Sequence, residues 1–105
     1  MGQFAVHENE NKLTKKQYPY LLDIQNNLIS DLKTRVVIPF VHKQEFFSKP
    51  IAILNPVFKI KSIEYVLLTQ QLAGISSSQL GKQIADLSKQ RNLIVSAIDF
   101  MVTGI

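Results

Sequence analysis

Two histidines, His7 and His42, are the side chains best suited to move a proton near neutral pH or to hold a metal. They stand far apart in the chain, and neither forms a short pattern with another ligand type. The sequence contains no cysteine, so no thiolate can complete a zinc set and no disulfide can form. Both histidines read as ordinary surface residues. The four glycines are isolated, so no loop can cradle a phosphate on clustered backbone amides. Ser76, Ser77 and Ser78 form a serine run without a nearby histidine, which suits a loop better than a nucleophile. Acid–base cleavage of RNA would need a base, an acid and a cation around one phosphate. His42, Glu64 and Arg35 are the nominal set, but nothing in their spacing gathers them. Glu64 reads instead as an exposed strand residue opposite a lysine. Asp23 interrupts an apolar run between Leu22 and Ile24. It is either a recognition carboxylate or, as we favour, a residue on the polar face of an alternating strand or one satisfied by backbone or by Arg35. No catalytic residue, metal or cofactor is expected, and the chain reads as a binding protein rather than an enzyme.

The elements that must carry any such surface follow from composition and period. The chain has 105 residues, 46% of them hydrophobic and 19% charged, with a mean hydropathy of +0.06. That suffices for one domain with a buried core and is unlike a disordered chain. No apolar run reaches the length of a membrane span. The start, "MGQFAVHENENK", lacks the basic and apolar regions of a signal peptide, and Val6 replaces the serine or threonine of a myristoylation motif. A cytoplasmic protein is the expectation. Twelve lysines and arginines against eight acids leave a net charge of +4. The basic residues are scattered rather than striped, which fits an acidic protein partner and gives no reason to expect direct nucleic-acid binding.

Most of the chain reads as strands. Residues 3–8 alternate, with Phe4 and Val6 on one side and Ala5 and His7 on the other. Residues 9–17 read as an exposed loop, and 18–25 and 32–40 as further strands. Pro39 argues for an edge or a bulge in the latter. Residues 56–61 place Phe58 and Ile60 inward and Lys59 and Lys61 outward, with 64–70 as a hairpin partner across a tight turn at Ser62. Between these, 41–55 holds a short helical turn at 43–47 and an apolar piece cut by two prolines. Residues 74–83 read as a loop, and apolar residues at 84, 87, 94, 98 and 101 suggest a helix over about 84–102, capped by Asp86 or Ser88. The whole is expected to be a single domain over 1–105. Its strand-rich barrel would span about 3–73, in a compact antiparallel or SH3-like form with one C-terminal helix. That helix is apolar beyond one stripe, so it calls for the sheet on one side and another subunit or protein on the other.

Two long segments then carry a family resemblance. "YPYLLDIQNNLISDLKTRVVIPF" (18–40) resembles the part of CcdB-type toxins where an Asp-x-Gln strand leads to Arg-x-Val-Ile-Pro. "IADLSKQRNLIVSAIDFMVTGI" (84–105) resembles their C-terminal helix ending in Gly-Ile, at a spacing that needs no net insertion or deletion. The resemblance implies a cytoplasmic toxin of a toxin–antitoxin pair, a homodimer of SH3-like barrels that is not an enzyme. It implies binding to the DNA gyrase A subunit with trapping of the gyrase–DNA cleavage complex, and neutralisation by an acidic antitoxin with a flexible C-terminal segment. By position, the gyrase-binding surface falls on Thr103, Gly104 and Ile105, flanked by Val102, Asp99, Leu28 and Ile29. The family's plasmid-borne toxins carry tryptophan before Gly-Ile where this chain has Thr103, which implies weaker or differently built contacts. An RNA-cleaving toxin of the same barrel, or a non-toxic antitoxin-binding relative, is the alternative implied.

Overall fold

The computed structural model describes residues 2–27, 33–46 and 51–104. Seven strands and one α-helix follow in order: β1 (Ala5–Asn9), β2 (Tyr20–Asp23), β3 (Thr34–His42), β4 (Val57–Ile60), β5 (Ile63–Leu67), β6 (Ala73–Ser76), β7 (Leu80–Asp86) and α1 (Arg91–Thr103). They build one curled antiparallel half-barrel, ordered β4-β5-β3-β2-β1-β7, with β6 also on β3. The expected mainly-β architecture with one C-terminal helix is the one found.

Alternation places one apolar residue per strand in line across the sheet. Val6 pairs with Leu22, and Leu22 with Ile38, so the three form a continuous row in the core. Phe4, Phe40, Phe58, Ile60, Tyr65 and Leu67 extend it, and Leu87 and Ile94 bring the helix onto it. Phe40 meets Phe58 edge-on at 6.3 Å between ring centres, a favoured aromatic geometry.

β3 is the strand on which the sheet turns. Its first half pairs with β6 and its last three residues with β5. Pro39 lies between, opposite Leu21 of β2, and its carbonyl accepts from the Leu68 amide at 3.0 Å on the other side. Pro39 therefore does not mark an edge. It sits inside a central strand at the handover from β6 to β5, where a missing backbone donor breaks no ladder bond. The expected β4–β5 hairpin forms, with Ile60 opposite Ile63. Its two turn residues, Lys61 and Ser62, both hold positive φ, at 53° and 68°. A two-residue hairpin demands that geometry, and without glycine it costs roughly 1–2 kcal/mol per residue.

Two boundaries differ from expectation. Residues 74–83 are not a loop: they hold most of β6, a 3-10 turn at Ser77–Gln79 and the start of β7. The helix begins at Arg91 rather than near 84, and Ile84 belongs to β7. β6 is largely exposed and β7 mixes half-buried with exposed positions, so neither shows a clean alternation, and the serines and glycines around them mimic loop chemistry. Glu10 lies over Gly81, and a Cβ at that position would require the exposed Glu10 side chain to move aside. Neither Asp86 nor Ser88 caps α1, whose N-cap is Gln90. Asp86 instead fixes the turn before the 3-10 segment Ser88–Gln90, with Ser88 N–H donating to its Oδ1 at 2.7 Å. Hydrogen bonds from the Ser88 side chain and backbone hold the Asp86 carboxyl below its ordinary range.

His7 is not at the surface. It is 4% exposed, and its Nδ1 lies 2.9 Å from the Gly81 carbonyl. A carbonyl only accepts, so the proton is on Nδ1. Nε2 is buried and unpartnered among the described residues.

Candidate recognition site

α1 is amphipathic in a way that divides its residues between two tasks. Ile94 and Ala97 are buried against the sheet, with Ile98 and Met101 half-buried beside them. On the outer side Leu93 is 55% and Val102 71% exposed, and Asn92, Ser96, Asp99 and Thr103 share that exposure. Asp99 and Thr103, one turn apart, lie on one face. Thr103 Oγ1 donates to the Asp99 carbonyl at 2.7 Å, so the hydroxyl proton is already used and only its oxygen is left to accept. Gly104 ends the helix in the left-handed region at φ 74°, its amide bonded to the Phe100 carbonyl at 2.8 Å. That is the geometry of a glycine C-cap, which other residues adopt at a cost. Of the expected recognition residues, Asp99, Val102, Thr103 and Gly104 are thus displayed together at the helix end. Leu28, Ile29 and Ile105 lie outside the described residues.

Beside this end runs a groove of about 480 Å³, with Ala52, Ile53 and Pro56 on one wall and Leu93, Ser96 and Asp99 on the other. The first wall is held by buried Asn55, whose amide donates to the Leu67 carbonyl at 3.1 Å and to Gln70 Oε1 at 2.7 Å. Of this lining only Asp99 was singled out from sequence, by the family resemblance. The signal was there in part: an apolar piece between two prolines, and a leucine out of step with the buried stripe of the helix.

The other candidates separate. Arg35 and Asp23 are fully buried and paired, Nη2 to Oδ2 at 2.7 Å and Nε to Oδ2 at 3.0 Å. The other carboxylate oxygen accepts from the Gln25 amide at 3.0 Å, and Gln25 Oε1 accepts from the Val36 amide at 3.0 Å. This network ties β2 to β3, so Asp23 is structural. Arg35 is thereby withdrawn from any acid–base set. His42 and Glu64 do share a cleft, with Lys43, Gln44, Lys59 and Ser62, which their spacing had not suggested. Glu64 faces Lys59 in register and approaches Lys43 Nζ at 3.6 Å, as a solvated strand carboxylate would. The His42 ring lies 4.7 Å from Tyr65, whose phenol is pushed up to about 12, first by burial and then by Tyr20. Tyr65 therefore has no proton to exchange near neutral pH. The serine run ends β6 in a turn, with Ser76 Oγ 2.9 Å from Ser78 Oγ. Among the described residues no three histidine, aspartate or glutamate side chains gather as a metal site would need.

A curled antiparallel half-barrel with one C-terminal helix is the fold of CcdB- and MazF-type toxins. The chain is similar in structure to the Mycobacterium tuberculosis toxin MazF-mt6, with a TM-score of 0.72 and 16% identity over 93% of this chain and 95% of that one. At that identity the likeness speaks for the fold. The model of the CcdB protein family matches residues 3–104, nearly the whole sequence, and the chain belongs to that family. Membership sets it among the toxins of toxin–antitoxin modules, with an antitoxin as its cognate partner. No helix among the described residues is long and apolar enough to cross a membrane.

Proposed function

We propose that the protein is a homodimeric, cytoplasmic, non-enzymatic poison of DNA gyrase, which binds the gyrase A subunit through the end of α1 and holds the enzyme on cleaved DNA. One observation carries this reading: the helix displays Asp99, Val102, Thr103 and a capped Gly104 to solvent, at the positions where the family resemblance puts its recognition surface. The folded body does not need these side chains. Val102 is left almost free by the sheet, and an apolar residue so placed is worth about 1.5–3 kcal/mol to a partner that buries it. Two copies in a dimer would act together and raise avidity. An acidic antitoxin, drawn to a chain of net charge +4, would compete for the same protein.

Binding calorimetry with the gyrase A subunit tests the reading. The full chain should bind, and a chain lacking Gly104 and Ile105 should fold, dimerise and fail to bind. A truncated chain that binds equally well, or that no longer folds, would contradict a recognition role for the helix end.

A second reading, an endoribonuclease, draws on the cleft that brings His42 and Glu64 beside Lys43 and Lys59. It predicts RNA cleavage by the protein alone, lost in His42→Ala and in Glu64→Gln. A toxin that cleaves nothing alone but requires gyrase for its effect excludes it. A non-toxic antitoxin-binding relative would do neither in cells.

A further inference from the structure

The groove between the 51–56 segment and α1 joins an apolar lining to a single charge. Ile53, 54% exposed, faces Leu93, 55% exposed, across it, with Ala52 and Pro56 as the apolar floor and rim. An apolar cluster of this kind on a small protein marks a place where another chain packs. Among the described residues Asp99 is the one charged residue in its lining. Its carboxylate forms no ion pair among the described residues. It also sits one turn before the helix end, where the macrodipole is negative and a carboxylate is disfavoured, and the last turn offers no basic residue. Among the described residues this anion is thus left without a cation. Asp99, at the end of the groove lining, shares its helix face with Thr103, one turn further on.

We propose that this groove is a docking site for a partner segment that carries apolar side chains next to an arginine or lysine, and that it is not the site of the acidic antitoxin segment. The apolar residues enter between Ile53 and Leu93, and the cation meets Asp99. An acidic segment placed here would be repelled at close range, although the +4 chain attracts it from a distance. The groove thus sorts partners by local charge. It also supplies contact area that a tryptophan at position 103 would otherwise provide. The proposal rests on the helix-end reading for its continuity with that surface, and its own evidence is the unpaired carboxylate in an apolar groove.

The test is a nuclear magnetic resonance titration of the isotope-labelled full chain with two short amphipathic peptides. One carries leucines at every third or fourth position with arginines between them, and the other has glutamates in place of the arginines. The arginine peptide should shift the amides of residues 52–56 and 93–99, and Asp99→Asn should weaken it about tenfold with the protein spectrum otherwise unchanged. Equal or tighter binding of the glutamate peptide at these residues, or an arginine peptide that leaves them unmoved, would overturn the proposal. So would Leu93→Ser converting a dimer to monomers in sedimentation, because the groove would then be covered by a second copy. The gyrase A subunit is titrated in parallel. If it fails to bind while the arginine peptide does, the gyrase reading falls and the groove stands.

Discussion

Asp23 and Asp99 are the same side chain in opposite circumstances. Asp23 is fully buried on β2, and each of its carboxylate oxygens has a donor, one in the Arg35 guanidinium and one in the Gln25 amide. Asp99 stands on the outer face of α1 with its carboxylate unpaired among the described residues and the helix dipole set against it. In the first region the fold uses both carboxylate oxygens and two of the three guanidinium nitrogens, Nη1 being buried without a partner among the described residues. In the second, the carboxylate and the apolar side chains are left unused among the described residues. A buried ion pair is a structural requirement once formed, because removing one partner strands the other without water. An exposed, unpaired carboxylate beside exposed isoleucine and leucine has no such task, and its chemistry is available to another molecule.

Mutation should separate the two regions sharply. Asp23→Ala leaves Arg35 buried and uncompensated, and should lower stability by about 3–5 kcal/mol in urea unfolding. A loss below about 1 kcal/mol would mean that the pair is solvated and that the contrast with Asp99 fails. Within α1 the same contrast holds between faces. Ile94→Ala should lose about 2–5 kcal/mol, whereas Leu93→Ala, one residue away, should stay within about 0.5 kcal/mol in the same unfolding experiment. Thr103→Trp should tighten binding to the gyrase A subunit by about 1–2 kcal/mol in calorimetry, since it restores a large interface anchor where the threonine hydroxyl is already spent on Asp99. No change would mean that docking avoids that position. Gly104→Ala should cost about 1 kcal/mol of stability, because the αL cap at φ 74° is strained for any side chain. The smallest effect belongs to Asp86. Its carboxyl is depressed in the folded chain, so its contribution is complete above its ordinary value of 3.8 and is lost as pH falls through the lower folded value. Asp86→Asn should therefore slightly lower stability at neutral pH, change it little at pH values below the folded value, and so flatten the acid limb of the stability curve.

What the sequence could disclose depended on how much of each element is buried. The β4–β5 hairpin was legible, because Phe58 and Ile60 alternate with exposed Lys59. The bond between Asp23 and Arg35 was legible as one option for an acid inside an apolar strand. β6 and β7 were not, because their exposed and half-buried positions follow no two-residue period. The buried position of His7 was hidden too, since a single histidine in an alternating strand does not say which face is covered. Pro39 misled because its cost depends on whether its own side of the strand is paired, and β3 changes partner at that residue. The residues at the helix end came from family resemblance rather than from any pattern of their own. The groove beside them was missed because its two walls are some forty residues apart and meet only in the fold.

The most direct measurement incubates the purified protein with gyrase, supercoiled DNA and ATP, beside a chain lacking Ile105, and counts linear DNA after denaturation. Linear DNA that accumulates only with the intact helix end is the predicted result. No linear DNA from a folded, dimeric, intact protein, or equal amounts from both chains, would contradict the claim that this end is where the toxin acts.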